Sequence, residues 1–242
     1  MSEVPTSRVE EITAVLREEI LRGQYRPGER LPSERELSTR FDSNRGAVRE
    51  SLKKLEQIGI ASIKPGGVRV IPVEEATLSV LGHIIDLQEI PDAKLVSDLF
   101  EVMGALITLS ARRAIIAATD HDVAEMTLVV ESLIASIDDP AESQLCWKKL
   151  GMLFTEISHN LVLRLILNGL KTQFVSRLER KQQPIEFDRI SDLKILRQLR
   201  EAMINRDSDT VARSITEHFT LIQNAVTIAL TEAANNTRSS NV

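Results

Sequence analysis

GERLPSERELSTRFDSNRGAVRESLKKLEQIGIASIKPGGVRVI, residues 28–71, is the stretch that decides the fold. Ser33 and Glu36 stand at the spacing of a capping box, in which a serine hydroxyl and a glutamate three residues on satisfy each other's orphan amides, so a helix begins there. Phe41-Asp42-Ser43-Asn44 offers side chains that cap and turn rather than propagate, which keeps that helix short. From Arg45 to Ile58 the residues Val48, Leu52, Leu55 and Ile58 mark an apolar stripe and leave Arg45 and Arg49 one turn apart on another face. Gly59 closes this helix. Ile60–Lys64 and Val68–Ile71 then read as two short strands about the turn Pro65-Gly66-Gly67.

Upstream, residues 7–22 place Val9, Ile12, Val15, Leu16 and Ile20 at helical spacing and stop at Gly23, a natural C-terminal cap. Tyr25-Arg26-Pro27-Gly28 is a turn signal. Three helices followed by a hairpin is the order of a winged helix-turn-helix. After Pro72 the turn residues thin out and long apolar periodic segments follow, so the rest predicts an all-α bundle. Its helices are expected at 74–89, 92–118, 119–136, 140–159, 161–182, 188–205 and 208–234, with Asp92, Thr119, Asp139 and Asp207 at or near their starts as caps. The fold class expected is therefore mainly α, an N-terminal winged helix-turn-helix over 1–72 and an all-helical unit over 73–236. A flexible tail is expected at 237–242.

The chain has 242 residues, 43% of them hydrophobic, enough for two units that each bury a core. One cysteine, Cys146, excludes an intramolecular disulfide framework. Residues 1–8 contain no apolar run of a secretory signal, and no stretch approaches the length of a membrane helix, so a cytoplasmic protein without a membrane partner is expected. The net charge of -5 argues against unspecific coating of nucleic acid. Residues 22–69 depart from that sum, with eleven Lys/Arg against six Asp/Glu.

A helix presented to DNA needs guanidinium groups on its outer face, because arginine pairs bidentately with guanine or grips a phosphate. Arg45 and Arg49 meet that need. Arg35 reaches the same groove or the flanking backbone, and Asn44 either reads adenine or caps the helix. Lys53, Lys54, Lys64 and Arg69 suit phosphates, which set register and salt dependence. Gly66 and Gly67 let a wing tip approach the minor groove. Nothing supports an enzyme: there is no nucleotide-binding glycine loop and no histidine cluster, and Glu10-Glu11 and Glu18-Glu19 read as solvated helix faces.

Gly28-Glu29-Arg30-Leu31-Pro32-Ser33-Glu34-Arg35-Glu36-Leu37, with Arg45 and Val48-Arg49-Glu50-Ser51-Leu52, resembles the DNA-binding domain of GntR-type regulators. The resemblance covers residues 7–71 and implies a homodimer on a palindromic stretch of double-stranded DNA. It implies Arg35, Arg45 and Arg49 as base or backbone readers and Gly66 in the wing. At 44, 46 and 47 the chain has Asn, Gly and Ala, less polar than some members carry.

Residues 75–234 resemble the FadR-type effector domain of that family, through Asp98-Leu99-Phe100-Glu101-Val102, Ser158-His159-Asn160, Leu165–Gly169, Ala212-Arg213 and His218. The last segments look most like the fatty-acid-responsive member. Many members hold a divalent metal with one Asp and three His. Placed by Asn160, the chain has Trp147 and Gly151 at the Asp and first His, and Leu196 at the second His. Only His218 remains, and one imidazole cannot anchor a metal, so neither metal nor cofactor is expected. Met103 stands where the resemblance implies a carboxylate-binding arginine. These losses point away from small organic acids and toward a fatty acyl group or its CoA thioester as the effector, although Phe219 stands where the acyl-CoA-binding relative wants a glycine. The candidate effector contacts are Met103, Trp147, Asn168, Arg177 and His218, each with ordinary packing or solvation as the plainer reading. An effector-free dimeric regulator or scaffold with a degenerate pocket is the alternative.

Overall fold

The computed structural model describes residues 7–175, 177–178 and 188–240. The chain forms two compact units that divide between Gln88 and Glu89.

The first unit opens with α1 (Arg8–Leu21), capped by the Ser7 hydroxyl, followed by α2 (Glu34–Arg40) and α3 (Arg45–Gln57). The capping box of α2 is complete: the Glu36 amide donates to Ser33 Oγ at 3.3 Å, and the Ser33 amide donates to Glu36 Oε2 at 2.7 Å. α2 ends where Asp42 takes a left-handed φ of 44°, and the Asn44 side chain accepts the Ala47 amide at 2.9 Å to start α3. β1 (Ala61–Lys64) and β2 (Gly67–Val70) pair antiparallel with Ala61 opposite Val70 and Lys64 opposite Gly67. Ile12 and Leu16 of α1, Leu37 of α2, Leu52 and Leu55 of α3 and Val70 of β2 are buried together. Ser51 sits in this core and donates to the Val9 and Ala47 carbonyls, tying α3 to α1 without an unpaired hydroxyl.

The helix expected at 74–89 is shorter. A 3-10 turn at Val73–Glu75 precedes α4 (Val80–Asp86). Val80, Leu81 and Ile84 pack on the core of the first unit, so the division falls sixteen residues beyond the expected 72/73 boundary. Apolar periodicity shows that a helix face is buried but not what buries it.

The second unit contains α5 (Ala93–Ala117), α6 (Asp120–Ala135), α7 (Pro140–Ile157), α8 (Leu161–Leu170), α9 (Arg189–Ile204) and α10 (Ser208–Ser240). Asp92, Thr119 and Asp139 cap α5, α6 and α7. α5 and α10 run antiparallel, with Ser97 bonded to Gln223, Thr108 to Thr216 and Arg112 to Asp209. Gly104 makes that approach possible, since a Cβ there would lie 2.9 Å from Cβ of Phe219. The core gathers Ala111 from α5, Met126 from α6, Phe154 from α7, Leu199 from α9 and Ile215 from α10.

Two boundaries differ from expectation. The helix expected over 161–182 ends at Leu170, beside Gly169, and passes into a π-helical stretch at Lys171–Val175. Apart from Arg177 and Leu178, the remainder of that expected segment lies outside the described residues. α10 continues to Ser240 instead of ending at 234, past the start of the expected flexible tail. Buried Val226 and Leu230 anchor its distal half, and Glu232-Ala233-Ala234 continue it with good helix formers.

Candidate nucleic-acid interface and bundle interior

α3 is sharply segregated. Val48, Ser51, Leu52 and Leu55 are sealed in the core, while Arg45, Arg49 and Lys53 are exposed on the other side. Arg35 is exposed in the first turn of α2. Arg49 is not loose. Its Nε and a terminal nitrogen donate to the two oxygens of Glu34 at 3.0 and 2.9 Å, a forked pair across the helix-turn-helix. The bond from Arg49 holds the Glu34 carboxyl below its ordinary range, and Glu34 in turn raises the Arg49 guanidinium. Sequence spacing gave no sign of this pair, because its members are fifteen residues apart on separate helices.

The other expected contacts divide by partner. The Asn44 side chain is engaged as the α3 cap. Lys53 pairs with Glu50 at 2.9 Å along α3, and Lys54 pairs with Glu10 of α1. The Arg69 guanidinium donates to the Gly28 carbonyl at 2.9 Å, and the backbones of Arg69 and Arg30 pair in a single antiparallel β-bridge. Lys64 is exposed at the end of β1, and Gly66 is exposed at the hairpin tip with φ 102°. Arg30, which sequence reasoning did not single out, lays its guanidinium against Gly67, where a Cβ would come within 2.5 Å of Nε. Arg30, Lys64 and Arg69 thus give the hairpin a basic character. Charge counting registers Arg30 but cannot place it at the wing.

In the helical unit, Trp147 and His218 come together and the other expected effector residues do not join them. The two rings stack with centroids 3.6 Å apart and an interplanar angle of 19°. His218 is 4% exposed, and its Nδ1 lies 2.8 Å from the Asp192 carboxylate. A carboxylate only accepts, so Nδ1 donates. Phe219 meets the imidazole edge-on. Asn168 is exposed on α8, Met103 is half-buried on α5, and Arg177 lies beyond the π-helical stretch. Asp192 was missed because its partner is on a helix distant in sequence.

The residues present do not fit the metal of the fold family. Trp147, Gly151 and Leu196 offer no donor atom, and Asp192 already takes one nitrogen of His218. Among the described residues no three His, Cys, Asp or Glu side chains converge on a point. Among the described residues, too, no helix is long and apolar enough to cross a membrane.

Comparison with known proteins agrees with this division. The family model for bacterial regulatory proteins of the gntR family matches residues 8–70, and that of the FCD domain matches residues 98–221. The Uxu operon transcriptional regulator of Escherichia coli (strain K12) is 30% identical over 162 residues, 64% of this chain and 60% of that protein. An uncharacterized HTH-type transcriptional regulator of Mycobacterium tuberculosis (strain ATCC 25618 / H37Rv) is 29% identical over 144 residues, 56% of this chain and 55% of that protein. The matches therefore span less than two thirds of the length of either relative. The structure of Lar, described as controlling expression of the Listeria monocytogenes agr system, superposes with a TM-score of 0.55 at 17% identity over 96% of this chain and 99% of that one. At that identity the likeness concerns the fold alone.

Proposed function

The chain belongs to the GntR family of bacterial regulatory proteins and carries the family's FCD domain, and from that premise we propose that it acts as a homodimer on a palindromic operator. Members of this family are transcription regulators, and this chain is one of them, not an enzyme. In the proposed complex α3 lies in the major groove with Arg45 and Arg49 toward base edges or phosphates. Arg35 and Lys53 flank them, and the hairpin bearing Lys64 and Gly66 approaches the minor groove. Asn44 acts chiefly as a cap. The observation that carries this reading is the segregation of α3, whose apolar side is consumed by the core while its arginines face out. Selection from a pool of randomised duplexes tests it. Enrichment of an inverted repeat is expected, and failure to enrich any sequence over the starting pool contradicts it.

The proposal for the helical unit is a response to a small molecule centred on His218. A fatty acyl chain or acyl-CoA needs an apolar channel. Phe219 fills the space over Gly104 and Trp147 covers the His218 ring, so an acyl chain has to swing both rings aside. A compact polar metabolite that meets the Asp192–His218 pair demands less rearrangement. The same filled interior supports a second reading, in which the unit serves dimerisation alone. A thermal-shift panel of acyl-CoAs, free fatty acids and sugar acids separates them, because a ligand that binds only the folded state raises Tm by mass action. A flat panel favours the second reading.

A further inference from the structure

Arg49 is held at both ends. Val48, Ser51, Leu52 and Leu55 around its backbone are buried in the core of the first unit, so the root of its side chain cannot shift. Its head is fixed by Glu34, which comes from another helix and is itself located by the Ser33–Glu36 capping box at the start of α2. The turn between the two helices is equally determined, by left-handed Asp42 and the Asn44 cap. Arg35 and Arg45 are exposed nearby and, among the described residues, form no ion pair. Only Arg49 of these three arginines is clamped.

The side chains of the pair are 60% and 35% exposed for Arg49 and Glu34. So open an ion pair adds little to stability, because water screens it and two long side chains give up freedom to make it. Its consequence is orientation. A guanidinium carries five N–H bonds in one plane. The Nε hydrogen and one hydrogen of a terminal nitrogen are spent on the two oxygens of Glu34. The three that remain lie on the end-on edge, where one from each terminal nitrogen runs parallel to the other. That parallel pair matches the O6 and N7 acceptors of guanine in the major groove.

A base edge accepts from a fixed direction, so it gains from a fixed donor. A phosphate accepts from many directions and gains little. The carboxylate also offsets the charge of the Arg49 head, which makes the pair a weaker attractor of phosphate than a lone arginine. Glu34 is held ionised by the bond from Arg49 and by the nearby charge of Arg45, so the clamp persists at neutral pH.

We infer that Glu34 is a positioning residue for recognition: it holds the end-on edge of Arg49 toward one guanine in each half-site, and so sets base preference more than affinity. The inference rests on α3 as the reading helix, proposed above.

Fluorescence anisotropy of the full chain tests this, with the selected duplex, a set in which each G·C pair of the half-sites is replaced in turn, and a random duplex. Arg49→Ala should abolish the preference for guanine at one position of each half-site. Glu34→Ala should shrink the preference at that same position at least about fivefold, while the random duplex binds as before or more tightly, because a negative charge has left the interface. The double variant should discriminate no worse than Arg49→Ala alone, since Glu34 acts only through Arg49. Tm of the Glu34 variant should move by less than about 2 °C, whereas a merely structural Glu34 would lower Tm and weaken every duplex alike. Circular dichroism checks folding. Should Glu34→Ala fail to fold, Glu34→Gln decides, because it keeps the side-chain length and loses the charged fork. An equal loss on every duplex, a preference lost at a different base pair from that of Arg49→Ala, or undiminished discrimination in the folded Glu34 variant would overturn the assignment and leave α3 standing. Unchanged operator binding in Arg49→Ala would overturn the role of Arg49 as a reader and this inference with it.

Discussion

Replacing His218 by alanine asks whether the ring stack at the centre of the helical unit is a strut. Three losses follow from the geometry. Ring contacts with Trp147 and Phe219 disappear, worth about 0.5–1.5 kcal/mol for an aromatic pair. The Asp192 carboxylate, whose side chain is only 14% exposed, loses a bonded partner at about 1–3 kcal/mol. The void left among buried neighbours adds about 1–2 kcal/mol. These overlap, so the expected total is about 3–4 kcal/mol. In a unit of this size each kcal/mol moves Tm by about 2–4 °C, giving a fall of roughly 6–15 °C. His218→Phe keeps a ring against Trp147 and loses mainly the hydrogen bond, so it should fall about half as far. Differential scanning calorimetry with a parallel urea titration measures both. A fall of less than about 2 °C in the alanine variant, or equal falls in the two variants, would rule out the assignment of these losses to the stack and its carboxylate.

Other outcomes are equally definite. Gly104→Ala places a methyl group 2.9 Å from Cβ of Phe219, and the α5–α10 approach should widen at a cost of about 1–3 kcal/mol by urea unfolding. Ser33→Ala removes the acceptor of the Glu36 amide and should cost the first unit about 1 kcal/mol, measurable as a lower urea midpoint with an unchanged slope. Leu52→Ala, at 1% exposure, should cost about 2–5 kcal/mol by the same assay. The Asp122, Asp188 and Asp207 carboxyls are held below the ordinary aspartate value of 3.8, chiefly by hydrogen bonds from Thr119, Ser191 and Thr210. Their folded values lie beneath their unfolded ones, so their stabilisation is complete above that ordinary value and is lost as the pH falls through the lowered one. Replacing all three by Asn should flatten the acid limb of the stability-versus-pH curve.

Interactions that span a few residues were legible in the sequence. The Ser33–Glu36 box, the α5, α6 and α7 caps at Asp92, Thr119 and Asp139, and the turn at Pro65–Gly67 each depend on neighbours in the chain, and each can be read from spacing. Their sum, three helices and a hairpin before a bundle, followed from punctuation and period. What could not be read joins separate elements. Glu34 gripping Arg49, Lys54 turned to Glu10, Arg30 against the wing and Asp192 beneath His218 are choices among several possible partners that only tertiary packing makes. The extent of the first unit belongs to the same class: Val80 and Ile84 are plainly apolar, but nothing local says that they cover the winged unit.

If the outer face of α3 reads an operator, its arginines must carry binding energy. Fluorescence anisotropy of the selected duplex with the unaltered chain, Arg45→Ala and Arg49→Ala, at two salt concentrations, reads that energy. Arg189→Ala, which removes an exposed ion pair with Asp138 in the helical unit, serves as the control. Each α3 variant is expected to weaken operator binding by roughly 5- to 150-fold, while the control binds as before. A phosphate-gripping arginine should also lower the salt slope by about one. Unchanged affinity in both α3 variants, or an equal loss in the control, would mean that α3 is not the reading head.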